Sequence, residues 1–351
     1  MSSLRTIIVL HLLAFLAAAP SWRARVFAQA APGLASPADT VVLAPRENET
    51  GRIVVRGTII DYTGTTLVLD ASGQRQTIPA KQVVDIRTAY SAEQTAADEL
   101  WRRRDYAGAL GRYNAALAVE KRTWVRRLLL SRVVACLREQ EQWGAATEAF
   151  LKLVREDGAT PYFATIPLPW TVVAADQSLE GKAKAWIADA SSKTAGLLGA
   201  SYLMSGATRS EALKRLRELT LDGDSRIALL AEAQLWRSAV VTADDQAVEN
   251  WERVLEKIPE PLRAGPTLVV GRAWAQRNQP ERAALLLTRV PILYADEHRL
   301  AAEALWSAGQ MLEKLAEPKQ ASTLYRELVR DYFKSPLAAQ ATDRLKELTT
   351  Q

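Results

Sequence analysis

The chain has 351 residues, with 45 lysines and arginines against 40 aspartates and glutamates for a net charge of +5, one cysteine and two histidines. A single cysteine excludes an internal disulfide, and two histidines exclude a metal centre built on histidine. The isoelectric point is alkaline, yet three of the bases (Arg5, Arg23 and Arg25) sit in the first thirty residues, so the remainder carries only +2 and shows no nucleic-acid footprint.

Arg5 precedes an apolar run over residues 6–19, too short for the roughly 20 residues that cross a bilayer, and Ala28-Gln29-Ala30 offers a small-x-small cleavage site. Residues 1–30 therefore read as a signal peptide cut after Ala30, leaving about 320 residues in an extracytoplasmic, periplasmic setting. A basic approach to the site through Arg23 and Arg25 leaves retention as a membrane anchor as the alternative. Cys136 lies too far along to be lipidated as a first residue, and its setting in Val133-Val134-Ala135-Cys136-Leu137 makes it a small core residue.

After a linker over 31–38, residues 39–90 are rich in branched side chains at period two, punctuated by turns at Tyr62-Thr63-Gly64 and Ala71-Ser72-Gly73. Four or five short strands in fifty residues predict a small all-β barrel. Asp61-Tyr62-Thr63-Gly64, then Ile78-Pro79-Ala80 and Val83, Val84 and Ile86, resemble the SH3-like or Sm-like barrels found in front of bacterial repeat domains. An Sm-like barrel implies RNA, but the bases here are matched by acids and Tyr62 is the one aromatic before Tyr90, which argues for no nucleic acid and for a barrel that packs on the first helices or binds protein.

Beyond Ala92 the period becomes helical, and a pattern of small-x-x-x-large-x-x-apolar recurs from Ala109, Ala146, Ala212, Ala247, Ala283 and Ala321, at spacings of 37, 66, 35, 36 and 38. Its members are Ala109, Tyr113 and Ala116; Ala146, Phe150 and Leu153; Ala212, Leu216 and Leu219; Ala247, Trp251 and Val254; Ala283, Leu287 and Val290; Ala321, Tyr325 and Leu328. This resembles the second helix of the tetratricopeptide repeat, with Gly271 and Trp274, then Gly309 and Leu312, in the first helices of the last two units. The resemblance implies a mainly α protein, a right-handed solenoid of about six helical hairpins: repeats 1 and 2 over 91–157, repeats 3 to 6 over 193–336, and a capping helix over 337–351. The stretch over residues 325–338 is similar to the variant repeat of periplasmic outer-membrane-assembly and envelope-complex proteins. The small residues let paired helices approach while the large ones fill the gap to the next unit.

The 66-residue spacing interrupts that order. Residues 158–192 hold Pro161, Pro167 and Pro169, which forbid a regular helix, followed by a helical reading over 177–198. Tyr162, Phe163 and Trp170 either plug a break in the stack or form a binding element.

Chemistry is sparse. His298 in Ala295-Asp296-Glu297-His298 has no nucleophile motif beside it and reads as a surface residue, and no metal, phosphate or dinucleotide motif is present. Asp222-Gly223-Asp224 and Asp244-Asp245 sit at helix starts, where capping explains them better than calcium or acid–base work. Asn48-Glu49-Thr50 has glycosylation spacing that a polar turn also explains. Lys121, Arg122, Arg126, Arg127 and Arg132 form a basic run beside Trp124, either a solvated helix face or a surface for an acidic segment or lipid headgroups.

In tetratricopeptide proteins the concave face is lined by first-helix residues. Carried onto this chain, that face comprises Gln94, Asp98, Trp101 and Arg102, then Ser131, Arg132 and Arg138, then Trp236, then Arg272 and Gln276, then Trp306, Gln310 and Glu313. The set mixes Arg and Trp, the usual interface anchors. The family's Lys-Asn clamp for peptide C-termini is absent from these positions, which speaks against chaperone-tail binding. The expectation is a non-enzymatic exported adaptor with no cofactor and no metal, binding other proteins on the concave face, with a role in cell-envelope assembly. Peripheral contact with membrane or cell wall stays open; the alternative is a carbohydrate or cell-wall binder using residues 160–170.

Overall fold

The computed structural model describes residues 38–45, 51–173 and 175–349. The signal segment, most of the linker and the Asn48 triplet lie outside the described residues.

Five antiparallel strands open the fold: β1 Asp39–Leu43, β2 Ile53–Tyr62, β3 Thr66–Ala71, β4 Gln74–Pro79 and β5 Val83–Arg87, in the order β4-β3-β2-β1-β5. The first half of β2 pairs with β1 and the second half with β3, and the strand changes partner at Gly57 and Thr58. A side chain at Gly57 would sit 2.3 Å from the Asp70 carbonyl oxygen, so only glycine permits that bend. The ladder is open, with β4 and β5 as unpaired edges, where a closed barrel was expected. Val41, Ile59, Leu67, Leu69 and Ile78 point inward to a core shared with the first four helices, so the sheet docks on them. Arg127 anchors that dock from the helical side through Asp61 and the Tyr62 carbonyl, 2.9 Å away.

Fourteen α-helices follow among the described residues. They pair as α1 Ala92–Arg102 with α2 Tyr106–Val119, and α3 Thr123–Glu139 with α4 Trp143–Glu156. An added helix, α5 Gln177–Ala188, precedes α6 Lys193–Tyr202 and α7 Arg209–Leu219. Next come α8 Ser225–Ala239 with α9 Asp245–Leu255, α10 Ala264–Gln276 with α11 Pro280–Leu293, and α12 His298–Lys314 with α13 Pro318–Asp331, closed by α14 Pro336–Thr349. The helix expected over 177–198 is thus two helices. They part where Asp189 accepts from Ser191 and Ser192 caps the next turn at Ala195.

The recurring pattern falls on α2, α4, α7, α9, α11 and α13, the second helix of each hairpin. Five of the six small anchors are fully buried, Ala247 being partly exposed, and the large residue four positions on is buried in every case. The first helices meet them with glycine: a side chain at Gly271 would lie 2.8 Å from Leu287, and one at Gly309 would lie 2.4 Å from the Tyr325 ring. Each large side chain so enclosed contributes roughly 1.5–3 kcal/mol by burial. Four hairpins share one turn, with Arg104, Glu141, Asn278 and Ala316 at φ of 59°, 59°, 53° and 57°. After each of these residues, the next amide donates to a carbonyl five residues back, as from Gln279 to Trp274 and from Glu317 to Leu312.

Candidate functional site

Along the second half of the chain the first helices touch one another in series, α6 to α8 to α10 to α12 to α14, which makes them the inner row of the stack. The proline-bearing stretch lies across this row. Asp157 accepts from the Gly64 amide at 2.9 Å, and a side chain at Gly64 would sit 1.8 Å from the Ala159 carbonyl, so the stretch starts clamped against the β2–β3 turn. Phe163, Ile166 and Leu168 are buried in the main core. Its carbonyls then meet the inner row in turn. The Tyr202 hydroxyl donates to the Pro167 oxygen (2.5 Å), Gln234 Nε2 to Pro169 (3.2 Å), and Arg237 Nη2 to Thr171 (2.7 Å). Trp170 stacks over Gly265 at the head of α10, where a side chain would overlap the indole at 2.1 Å. The segment plugs the inner row, filling with backbone and aromatic rings what an open arch would leave empty.

The turns of the first two hairpins also meet the links that precede α12 and α14. Arg138, at the end of α3, pairs with Glu297 at 2.9 Å, and Arg299 pairs with Glu141 at 3.2 Å. The Tyr106 hydroxyl and His298 Nδ1 are 2.6 Å apart, and His298 lies 3.9 Å from the Glu139 carboxylate. Arg104 lies over the Tyr332 ring at 4.9 Å, and Lys334 donates to the Arg104 carbonyl. Residues near positions 104 and 139 therefore close onto residues near 298 and 333, and the stack returns on itself. Burial, partly offset by the Arg138 charge, pushes Glu139 up to about 7, while burial and the charges of Arg104 and Arg138 hold His298 down to about 4. At this seam His298 is largely buried, in place of the surface position its lone occurrence suggested.

The thirteen residues expected on the concave face divide by environment. Gln94, Ser131 and Trp236 are buried, Trp236 stacked on Trp251 with centroids 5.6 Å apart. Asp98 accepts from the Tyr113 hydroxyl, Glu313 holds Arg344 and Tyr325, and Trp306 lies against Tyr325 at 5.3 Å. Trp101 packs on Tyr106 and His298, and Arg138 belongs to the seam. Arg272 pairs with Glu303 on the neighbouring α12, and Arg102 with Glu99 on its own helix. Arg132 is half-buried near Tyr90 and Tyr113, while Gln276 and Gln310 are exposed. A single surface uniting all thirteen is not formed. Arg138 and Arg272 are brought toward one another through Glu297 and Glu303, which line the same small cavity.

The basic run is taken up by the fold. Arg127 holds the sheet, Arg126 closes the end of α2 by donating to the Leu117 carbonyl at 2.7 Å, Arg122 binds Glu120, and Trp124 is buried. Asp224 and Asp244 cap α8 and α9, and Asp222 accepts from the Asp224 amide. Cys136 is buried and its thiol is pushed up to about 12. No group of three metal-ligating side chains occurs among the described residues, and no described helix is long and apolar enough to cross a membrane.

Neither a family model nor a curated protein matches this chain. The recurring side-chain pattern and the stacked hairpins it produces are compatible with a helical solenoid. The inner-row residues that sequence reasoning missed, Tyr202, Gln234 and Arg237, carry no motif, because their partners are main-chain carbonyls of a segment with no sequence relation to them.

Proposed function

We propose that this chain is a non-enzymatic adaptor of the tetratricopeptide type, exported to the cell envelope, that holds extended segments of protein partners on the inner row of its hairpins. The observation that supports this reading is the way residues 166–171 are held. Tyr202, Gln234 and Arg237 grip alternate backbone carbonyls, those of Pro167, Pro169 and Thr171, in a segment without regular secondary structure, and that grip is indifferent to side chains. A partner segment offers the same carbonyls. The own segment covers α6 to α10 and leaves exposed Gln276 at the end of α10 and Gln310 on α12 as the open continuation of the row.

Photocrosslinking residues placed at Gln276 and Gln310, with Leu285 on the outward-facing α11 as the comparison, test this in cells. A recurrent protein crosslinked from the two inner positions and not from Leu285 is the expected result; crosslinks from Leu285 alone would refute the inner-row assignment. Export is tested separately by the mass of the purified chain, expected to begin at Ala31. The carbohydrate reading is less favoured because Phe163 is buried and Tyr162 and Trp170 pack on the core, leaving little aromatic face for a sugar ring.

A further inference from the structure

Between residues 170–173, the C-terminal ends of α6 and α8 and the middle of α10 lies a cavity of about 350 Å³, within the range of small-molecule sites. Three arginines line it, Arg209, Arg237 and Arg272, and no acidic side chain does. Arg272 is balanced by Glu303, which lies outside the lining. Arg237 is mostly buried, and its bonds go to neutral acceptors, the oxygens of Thr171, Ser201 and Gln234 and the Met204 sulfur at 3.4 Å. Arg209 is exposed at the rim, and neither it nor Arg237 has a carboxylate partner among the described residues. A guanidinium taken out of water without a counter-charge is costly, and a second cation beside it adds to the cost. Burial and the Arg272 charge pull the Arg237 guanidinium down to about 10, the direction that an arriving anion would reverse. The remaining wall is apolar where it faces Val173, Val240, Val269 and Met204; Ser201 and Ser238 also line it, their hydroxyls donating to the Leu197 and Leu235 carbonyls of their own helices.

The geometry points to a binding site in this cavity for a carboxylate borne on a short apolar body, its oxygens meeting the Arg237 and Arg209 guanidiniums and its body lying against the valines. The guanidinium fork matches a carboxylate in two parallel bonds, and the apolar wall disfavours the larger hydration shell of a phosphate dianion. The site is separate from the partner surface proposed at Gln276 and Gln310, and each can fail without the other.

Isothermal titration of the full chain at low salt, with isovalerate, an acetyl-Val-Val peptide acid, the same peptide as its amide, and inorganic phosphate, tests the assignment. Saturable binding of isovalerate or of the peptide acid, with the amide silent, is expected; the first identifies a free small carboxylate as the source and the second a chain terminus. Arg237→Lys, which keeps the charge and loses the fork, is expected to weaken binding about tenfold or more. Arg209→Gln, at an exposed residue whose loss leaves the fold intact, is expected to weaken it several-fold. Failure of both acids to bind, equal binding of acid and amide, phosphate binding as tight as the acids, or unchanged affinity in Arg209→Gln would each overturn the proposal.

Discussion

The hairpins α10 to α13 and the stretch over residues 157–173 are built on opposite principles. In the hairpins each large side chain answers a glycine or alanine about one repeat element away: Leu287 meets Gly271, and Tyr325 meets Gly309. The contacts that stack one helix of a hairpin on the other are local, and such contacts leave a period in the sequence. The stretch over 157–173 has no period, and its partners lie at positions 64, 202, 234, 237 and 265. Regular stacking makes an arch; the non-repeating stretch, together with the seam at His298, determines that its inner face is filled and its ends meet.

If the seam holds the arch shut, breaking it should cost more than breaking any ion pair on the hairpins. Arg138→Ala would leave Glu297 and Glu139 in a buried site without their cation, and the expected loss is about 3 kcal/mol or more. Arg282→Ala, which removes an exposed pair with Glu249 and a guanidinium lying over the Trp274 ring at 4.0 Å, should cost less, about 1–2 kcal/mol. Urea denaturation of both variants makes the comparison; equal losses would mean the ends of the stack are not energetically joined.

The seam also has a pH signature of its own. Glu139 has a folded value raised from 4.5 to about 7, so its contribution is present below pH 4.5 and lost as pH rises to 7. His298 has a folded value lowered from 6.5 to about 4, so its contribution is present above pH 6.5 and lost as pH falls to 4. Folding in effect moves one proton from the histidine to the glutamate, and the two slopes cancel. The unaltered protein should show no net seam contribution to its pH dependence between pH 4.5 and 6.5. Glu139→Gln should expose the histidine slope, losing up to about 3 kcal/mol of stability from pH 6.5 to 4. His298→Gln should expose the opposite slope, losing stability as pH rises from 4.5 to 7. Melting temperatures across this range decide it, and parallel profiles for all three chains would remove the paired-proton account.

A smaller difference separates the two regions in their tolerance of volume. Ala283→Leu overpacks the α10–α11 contact and should cost about 1–3 kcal/mol. Gly265→Ala adds a single methyl, but against the Trp170 ring, and should cost a similar amount. The two differ in rescue. In a Trp170→Ala background Gly265→Ala should cost little while Ala283→Leu costs its full amount, a coupling that a double-mutant cycle reads directly.

How far the sequence could be read follows from the same contrast. The helix pairs, their small and large positions and the terminal cap were legible because a helix buries one face at a fixed spacing. The strands were legible from their alternation, but not the open edge, which depends on β2 changing partner at Gly57. The basic run and His298 were misread for one reason. Arg127, Arg122 and His298 find partners 66, 34 and 192 positions away, and a charge looks solvated in sequence until its distant partner is known. Trp236 and Trp101, placed on the inner face by their first-helix positions, pack on Trp251 and on Tyr106 with His298, since a large ring serves packing as readily as recognition.

The finest test of regularity lies in the hairpin turns. Arg104, Glu141, Asn278 and Ala316 all adopt the left-handed conformation, which costs a residue with a side chain roughly 1–2 kcal/mol, while glycine takes it freely. Ala316 is the instructive member, because Asn tolerates this region and Arg104 and Glu141 carry seam contacts that replacement would remove. Replacing Ala316 with glycine relieves the strain but enlarges the freedom of the unfolded chain, so the net gain should be up to about 1 kcal/mol. A thermal shift of a few degrees upward is expected. A downward shift would show that the turn owes its shape to the packing of α12 on α13, and the hairpins would then resemble the inserted segment in being held from outside.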